Sequence, residues 1–189
     1  MSLEYEDIIK KFDIETASGI QEAKICIMFF GPDLRTNNDA AILRGRLIEE
    51  FRGEAIPIKG EHKELIAIHK RHFGDNHDLC RVELDLAVHH IDAIVFLPSS
   101  PGSLVELGMF AFYPNICKKT LILFSKEFEN PTIPSFIWGG PRVAYQIRGA
   151  SIEFVDYSQT DSVLKLVKEF VSKMRALKYD NNLLKFAMG

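Results

Sequence analysis

Apolar residues fall along the chain in short runs separated by amphipathic stretches. Ala23–Phe30 (AKICIMFF), Asp92–Leu97 (DAIVFL) and Thr120–Phe124 (TLILF) have the length of single strands and little alternation of polarity. That pattern predicts strands covered on both faces, as in a parallel sheet. Ala55–Ile58 and Ser151–Val155 are weaker strand candidates. Between them lie helical periodicities. Glu4–Phe12 reads as a short amphipathic helix. A second helix, capped by Asn37, Asn38 or Asp39, carries Ala41, Ile42, Leu47, Ile48 and Phe51. Glu61–His72, Asp78–His90 and Gly102–Tyr113 read as further helices. Asp161–Leu177 is a long one, with Val163, Leu166, Val167, Phe170, Met174 and Leu177 at helical spacing. Glu127–Gly149 is rich in Pro and Gly and reads as an irregular lid or edge segment, and the tail after Tyr179 has no assignment. The alternation of strands and helices predicts an α/β fold. It is a Rossmann-like, doubly wound, mostly parallel sheet of about five strands flanked by helices.

Length and composition narrow this further. A chain of 189 residues, 47% hydrophobic and 26% charged, suits one globular domain, and residues 1–189 are read as a single Rossmann-like nucleotide-binding domain. The net charge of −3 argues against a nucleic-acid partner. No apolar run reaches the roughly 18–20 residues of a membrane span. The acidic start Met-Ser-Leu-Glu-Tyr-Glu-Asp lacks the features of a secretory leader. Three scattered cysteines (Cys26, Cys80, Cys117) fit a reducing compartment, and a cytoplasmic location is expected.

Two loops carry the candidate chemistry, because open parallel sheets bind ligands outside the carboxyl ends of their strands. One is Phe30-Gly31-Pro32-Asp33. The other runs from Leu97 through Ser99, Ser100, Gly102 and Ser103 to Glu106 and Gly108. Gly102 allows close approach to the backbone, the three serines offer hydroxyls, and the first amides of the following helix favour an anion. Glu106 is one turn into that helix. A carboxylate there could attack an anomeric carbon or stabilise an oxocarbenium-like transition state. Ser103-x-x-Glu106 equally matches a capping box, in which the glutamate only satisfies a backbone amide.

The segment Leu97-Pro98-x-x-x-Gly102-Ser103-x-x-Glu106-Leu107, with the preceding strand from Asp92, resembles the Pro-Gly-Gly-x-Gly-Thr-x-x-Glu motif of the LOG family of nucleoside-monophosphate phosphoribohydrolases. Ser100-x-Gly102-x-x-x-Glu106-Leu107-Gly108 resembles a segment of the 2′-deoxynucleoside 5′-phosphate N-hydrolases, relatives of the nucleoside 2-deoxyribosyltransferases. Phe30-Gly31-Pro32 looks like the Ala-Gly-Pro of those transferases. The resemblance implies an enzyme that cleaves or transfers at the N-glycosidic bond of a nucleoside or nucleoside monophosphate, without a metal or other cofactor. Glu106 would be the catalytic carboxylate, Ser100 and Ser103 phosphate or ribose contacts, and Gly31 and Gly102 close-approach positions. Homo-oligomers are also implied, since related enzymes often complete a site across subunits. The wider pattern, with Pro-Ser-Ser-Pro-Gly-Ser at 98–103 followed by Glu-Leu-Gly-Met-Phe at 106–110 and Ser135-Phe136-x-x-Gly139, resembles deoxyribosyltransferase-like effectors of retron systems.

The match has departures. Ser99 and Ser100 replace two glycines of the LOG motif, and the family's arginine falls near Glu83, two residues from Arg81. The transferases' aspartate falls at Leu84, one residue before Asp85. Asp85 or Asp33 is therefore the expected acid/base or hydroxyl anchor, with Asp33 equally readable as a turn-former. One of Arg44 and Arg46, two apart on a helix, is expected to reach an anionic ligand and the other to be solvated. His69, His72, His77 and Cys80 have some zinc-like spacing, but a polar helix end explains them as well and no metal is assigned. His89 and His90 read as a helix terminus and Asp92 as a turn. Trp138 with Gly139-Gly140-Pro141 reads as a flap or a plain turn. If the pocket survives without turnover, the alternative is a non-catalytic nucleotide-sensing module or an effector subunit acting with a partner.

Overall fold

The computed structural model describes residues 3–59, 67, 70–71, 74, 79–130 and 139–188. Five parallel strands form one sheet: β1 (Cys26–Phe30), β2 (Ile56–Ile58), β3 (Ala93–Phe96), β4 (Thr120–Ser125) and β5 (Ser151–Val155). Their order is β2-β1-β3-β4-β5, so the doubly wound α/β fold expected from the apolar runs is the fold observed. The helices are α1 (Leu3–Glu22), α2 (Asp39–Glu50), α3 (Leu79–His89), α4 (Pro101–Phe110), α5 (Pro114–Cys117), α6 (Pro141–Ile147) and α7 (Thr160–Met188).

Each strand of the middle of the sheet is apolar on both faces because both faces are covered. Phe29, Val95 and Leu123 pack with Leu43 and Leu47 of α2 and Val167 and Phe170 of α7. Phe30, Phe96 and Ile122 pack on the other face with Ala87 of α3, Leu107 and Phe110 of α4, and Tyr145 of α6. The side-chain period of two sends alternate residues into the two cores. Phe30 and Phe96 are register partners and stack with centroids 4.5 Å apart, and Phe110 meets Phe30 edge-on at 5.3 Å. Burying each such ring stabilises the fold by roughly 1.5–3 kcal/mol.

Two expectations need correction, and one unassigned segment gains a structure. The Pro/Gly-rich stretch 127–149 contains α6, whose first residue is Pro141. Proline at the first helical position lacks an N–H that would have no intrahelical partner there and has its φ preset, so composition read as irregular is in part a helix start. The segment after Tyr179 is helical, as the continuation of α7. The first helix is longer than Glu4–Phe12 and runs to Glu22. It reaches α7 where Gly19 meets the Tyr179 ring, which an added Cβ would approach to 2.5 Å. Of the helix read at Glu61–His72, Ala67, Lys70 and Arg71 are described and are helical; its other positions, and Ser135, Phe136 and Trp138, lie outside the described residues. Among the described residues, no helix is long and apolar enough to cross a membrane.

Candidate functional site

The topology opens a crevice between two neighbouring strands. After β1 the chain crosses to α2 on one face of the sheet, and after β3 it reaches α4 on the other. This is the switch point at which doubly wound sheets bind ligands, outside the carboxyl ends of the strands. Residues 31–38 form one wall and residues 97–103 the other.

The β1 wall is held from behind by Arg44. Its side chain is only 2% exposed, inside the apolar stripe Ala40, Ala41, Leu43, Leu47, Ile48 of α2. Nη2 donates to Phe29 O at 2.8 Å, Nε to the same oxygen at 3.2 Å, and Nη1 to Pro32 O at 2.9 Å. The guanidinium fork thus holds two main-chain carbonyls of the strand end and turn in one geometry. Arg44 is turned inward, and Arg46 is exposed; the expectation that one arginine of this pair reaches a ligand is not what Arg44 does here. Gly31 has a packing reason of its own. A Cβ on it would stand 3.1 Å from Arg44 Cδ and 3.3 Å from Leu97 Cβ. The close approach at Gly31 is therefore within the protein.

Asp33 forms the turn that follows. Its carboxylate accepts from the Arg35 main-chain N–H at 2.9 Å and from Arg35 Nε at 3.0 Å, and Thr36 N donates to Asp33 O at 2.9 Å. The Arg35 guanidinium hydrogen bonds, then its main-chain N–H, hold the Asp33 carboxyl down at about 2. The group stays ionised, and its oxygens are engaged by its own turn. Asn38 caps α2, accepting from Ala41 N at 2.8 Å.

The β3 wall begins with Leu97 and Pro98, both buried, and Leu97 N donates to Phe30 O at 2.9 Å. Ser99 is exposed, its N–H closing a three-residue turn over Pro98 onto Leu97 O at 2.8 Å. Ser100 is the N-cap of α4. Its Oγ accepts from Ser103 N at 3.3 Å, and Ser103 Oγ accepts from Ser100 N at 3.1 Å. The capping box is therefore Ser100–Ser103. The Ser103–Glu106 box considered from the sequence is not formed, and Glu106 lies in the second turn of α4. Local geometry explains the shift: Ser100 has the extended φ of −133° that a cap requires, and Pro101 takes the first helical position.

This cap changes what the helix start can offer. Ser103 is 2% exposed, and its hydroxyl also donates to Ser100 O at 2.9 Å. Pro101 has no N–H, and Ser103 and Leu104 donate to Ser100. Gly102 supplies the amide that points outward from the first turn. An added Cβ on Gly102 meets nothing within 4 Å, so the protein's own packing does not require glycine there. Glu106 is half-buried on the flank of α4 whose inner face is Ser103, Leu107 and Phe110.

Asp85 does not join this group. It is exposed on α3, with Oδ1 3.2 Å from His89 Nδ1 one turn along the same helix. His89 closes the last turn of α3, where a basic side chain suits the helix dipole. Cys80 is half-buried near the start of α3, whereas His69, His72 and His77 lie outside the described residues. Asp92, read as a turn residue, ties three elements together. Its Oδ2 accepts from Cys26 N at 2.8 Å and from Lys178 Nζ at 2.7 Å.

Two substitutions separate architecture from use at this site. Ser103→Ala removes the reciprocal half of the cap and should lower stability by about 1 kcal/mol, read as a lower urea midpoint. Gly102→Ala should hold or raise the melting temperature, since alanine gains roughly 0.5–1 kcal/mol over glycine in a helix. If a ligand lies on this turn, the same change weakens its binding; unchanged stability and unchanged binding together would remove Gly102 from the site.

Over residues 43–186 the chain matches the family described as STM3845 retron effector protein. The match spans α2 to the last turn of α7 and includes the whole Asp92–Gly108 segment. The chain belongs to this retron effector family. No curated protein sequence matches it. The retron likeness of the serine loop and Glu-Leu-Gly segment is thus the resemblance the comparisons support.

Proposed function

We propose that this retron effector family member acts on the N-glycosidic bond of a nucleoside or nucleoside monophosphate bound in the β1/β3 crevice, with Glu106 as the reacting carboxylate. The observation that carries this reading is the displacement of the capping box. Because Ser103 fills the capping role, Glu106 is not needed to satisfy the helix start, yet it is held half-buried just beyond it. A carboxylate in that position suits a reaction whose transition state gathers positive charge at C1′. The C1′–N bond breaks, the base leaves with the bonding pair and takes a proton, and water or a second base completes the transfer at C1′. Gly102, Ser99 and the Ser100 hydroxyl are the groups best placed to meet the sugar or phosphate. Asp33 is the nearer candidate anchor for ribose hydroxyls, as Asp85 faces His89 on α3.

The test is chromatographic detection of free base from nucleosides and nucleoside monophosphates. Release by the wild-type chain and not by Glu106→Ala supports the reading; equal release by both removes Glu106 from it. A thermal-shift screen of the same compounds comes first, since a ligand that binds the native state raises its stability by a calculable amount.

A second reading, an effector subunit that works with a partner and does not turn over alone, draws on the family and on α1. Ile8, Phe12 and Ile14 of that helix are 65%, 66% and 69% exposed. Large apolar side chains left in water on one helix favour assembly with another copy or a partner. Binding in the thermal screen with no base released, and release restored on adding a co-purifying subunit, would select this reading.

A further inference from the structure

A second concentration of polar groups sits at the opposite end of the sheet, at the amino ends of β1, β3 and β4. A cavity of about 330 Å³ opens there between the start of β3, the turn between α5 and β4, and the second half of α7. Lys118, Lys119, Lys178, Asn181, Asn182 and Asp92 supply its polar lining. Its apolar wall includes Met174 and Leu177, the latter 46% exposed.

We propose that this cavity is a second ligand site, for a small phosphate-bearing molecule whose phosphoryl group lies between Lys118 and Lys119 and whose body lies on Met174 and Leu177.

Charge accounting leads to an anion. Asp92 is answered by Lys178, at 2.7 Å, and by the Cys26 N–H. Lys178 also donates to Lys24 O at 2.8 Å. Those two charges cancel and serve the fold, so the cavity keeps the two positive charges of Lys118 and Lys119. Lys119 is the more demanding. Its Nζ donates to Ile91 O at 2.6 Å, which uses one of three ammonium donors. Burial holds its proton affinity below that of an ordinary lysine, and Asp92 opposes this only in part. A desolvated ammonium with donors to spare is relieved by an incoming anion. Lysine binds phosphate well as a point charge, whereas planar carboxylate recognition favours the arginine fork. Asn181 and Asn182 add neutral donors at the rim. A volume at the low end of ligand pockets, which run from about 300 to 1,000 Å³, suits a sugar phosphate better than a dinucleotide.

This site stands apart from the crevice, so its test does not depend on Glu106 chemistry. Calorimetry on the full chain uses ribose 5-phosphate, which has no glycosidic bond to a base, with inorganic phosphate and ribose as comparisons. Ribose 5-phosphate should bind and ribose should not; inorganic phosphate should bind more weakly than ribose 5-phosphate. Lys118→Glu, on an exposed turn, should weaken binding by at least about tenfold, and Asn182→Asp, on the exposed face of α7, should weaken it in the same direction. Glu106→Gln should leave the affinity unchanged. No binding of ribose 5-phosphate by the wild-type chain, equal affinity in both cavity variants, or loss in Glu106→Gln alone would overturn the proposal.

Discussion

Glu106→Gln is expected to reduce base release by on the order of 10³-fold, about 4 kcal/mol of transition-state stabilisation. Glutamine keeps the shape and removes the charge. It cannot attack C1′, and its dipole answers a developing oxocarbenium charge far less well than a carboxylate does. The helix start is completed by Ser100 and Ser103 and the core face of α4 by Leu107 and Phe110, so neither uses the Glu106 charge. Paired measurements decide the matter. A large kcat loss with an unshifted melting temperature supports a reacting carboxylate. A shifted melting temperature with kcat retained would make Glu106 a structural residue.

The second large effect is expected at Arg44. Arg44→Met keeps most of the volume of a fully buried side chain but leaves Phe29 O and Pro32 O without their described donor. An unsatisfied buried acceptor costs roughly 1–3 kcal/mol, so a loss of about 3 kcal/mol is expected. In a chain of this size that lowers the melting temperature by roughly 6–12 °C. Replacing both members of a buried pair by apolar groups can be harmless; here the acceptors are main chain and stay. Arg44→Lys should fall between, since one ammonium has no planar fork to span both carbonyls. The β1 wall would loosen with the strut, so ligand affinity in the crevice should fall alongside stability. Urea unfolding of both variants checks this, and a loss under about 1 kcal/mol for Arg44→Met would show that water takes over the carbonyls.

Much of the architecture was legible along the chain because it rests on local signals. The runs at 23–30, 92–97 and 120–124 became β1, β3 and β4, since strands covered on both faces must be apolar throughout. Asn38 caps α2 by an interaction across three residues. Where local signals competed, reading faltered. Ser100 and Ser103 both match the cap pattern, and Pro101 decides between them by taking the first helical position. Pro141 begins a helix inside a stretch whose composition reads as loop.

The sequence by itself determined that strands and helices alternate, that the three central strands are buried on both sides, and that a serine–glycine loop precedes a helix bearing Glu106. Membership of the retron effector family also follows from sequence. The tertiary structure alone decided which side chains meet. It placed Arg44 behind the β1 turn, kept Asp85 on the outer face of α3, and drew Asp92 and Lys178 together across 86 residues. An arginine in an apolar helical stripe was a visible sign of burial, but its carbonyl partners were not. Such contacts depend on strand order and on which face each crossover takes. Residue periodicity records which face of an element is buried, but not what lies against it.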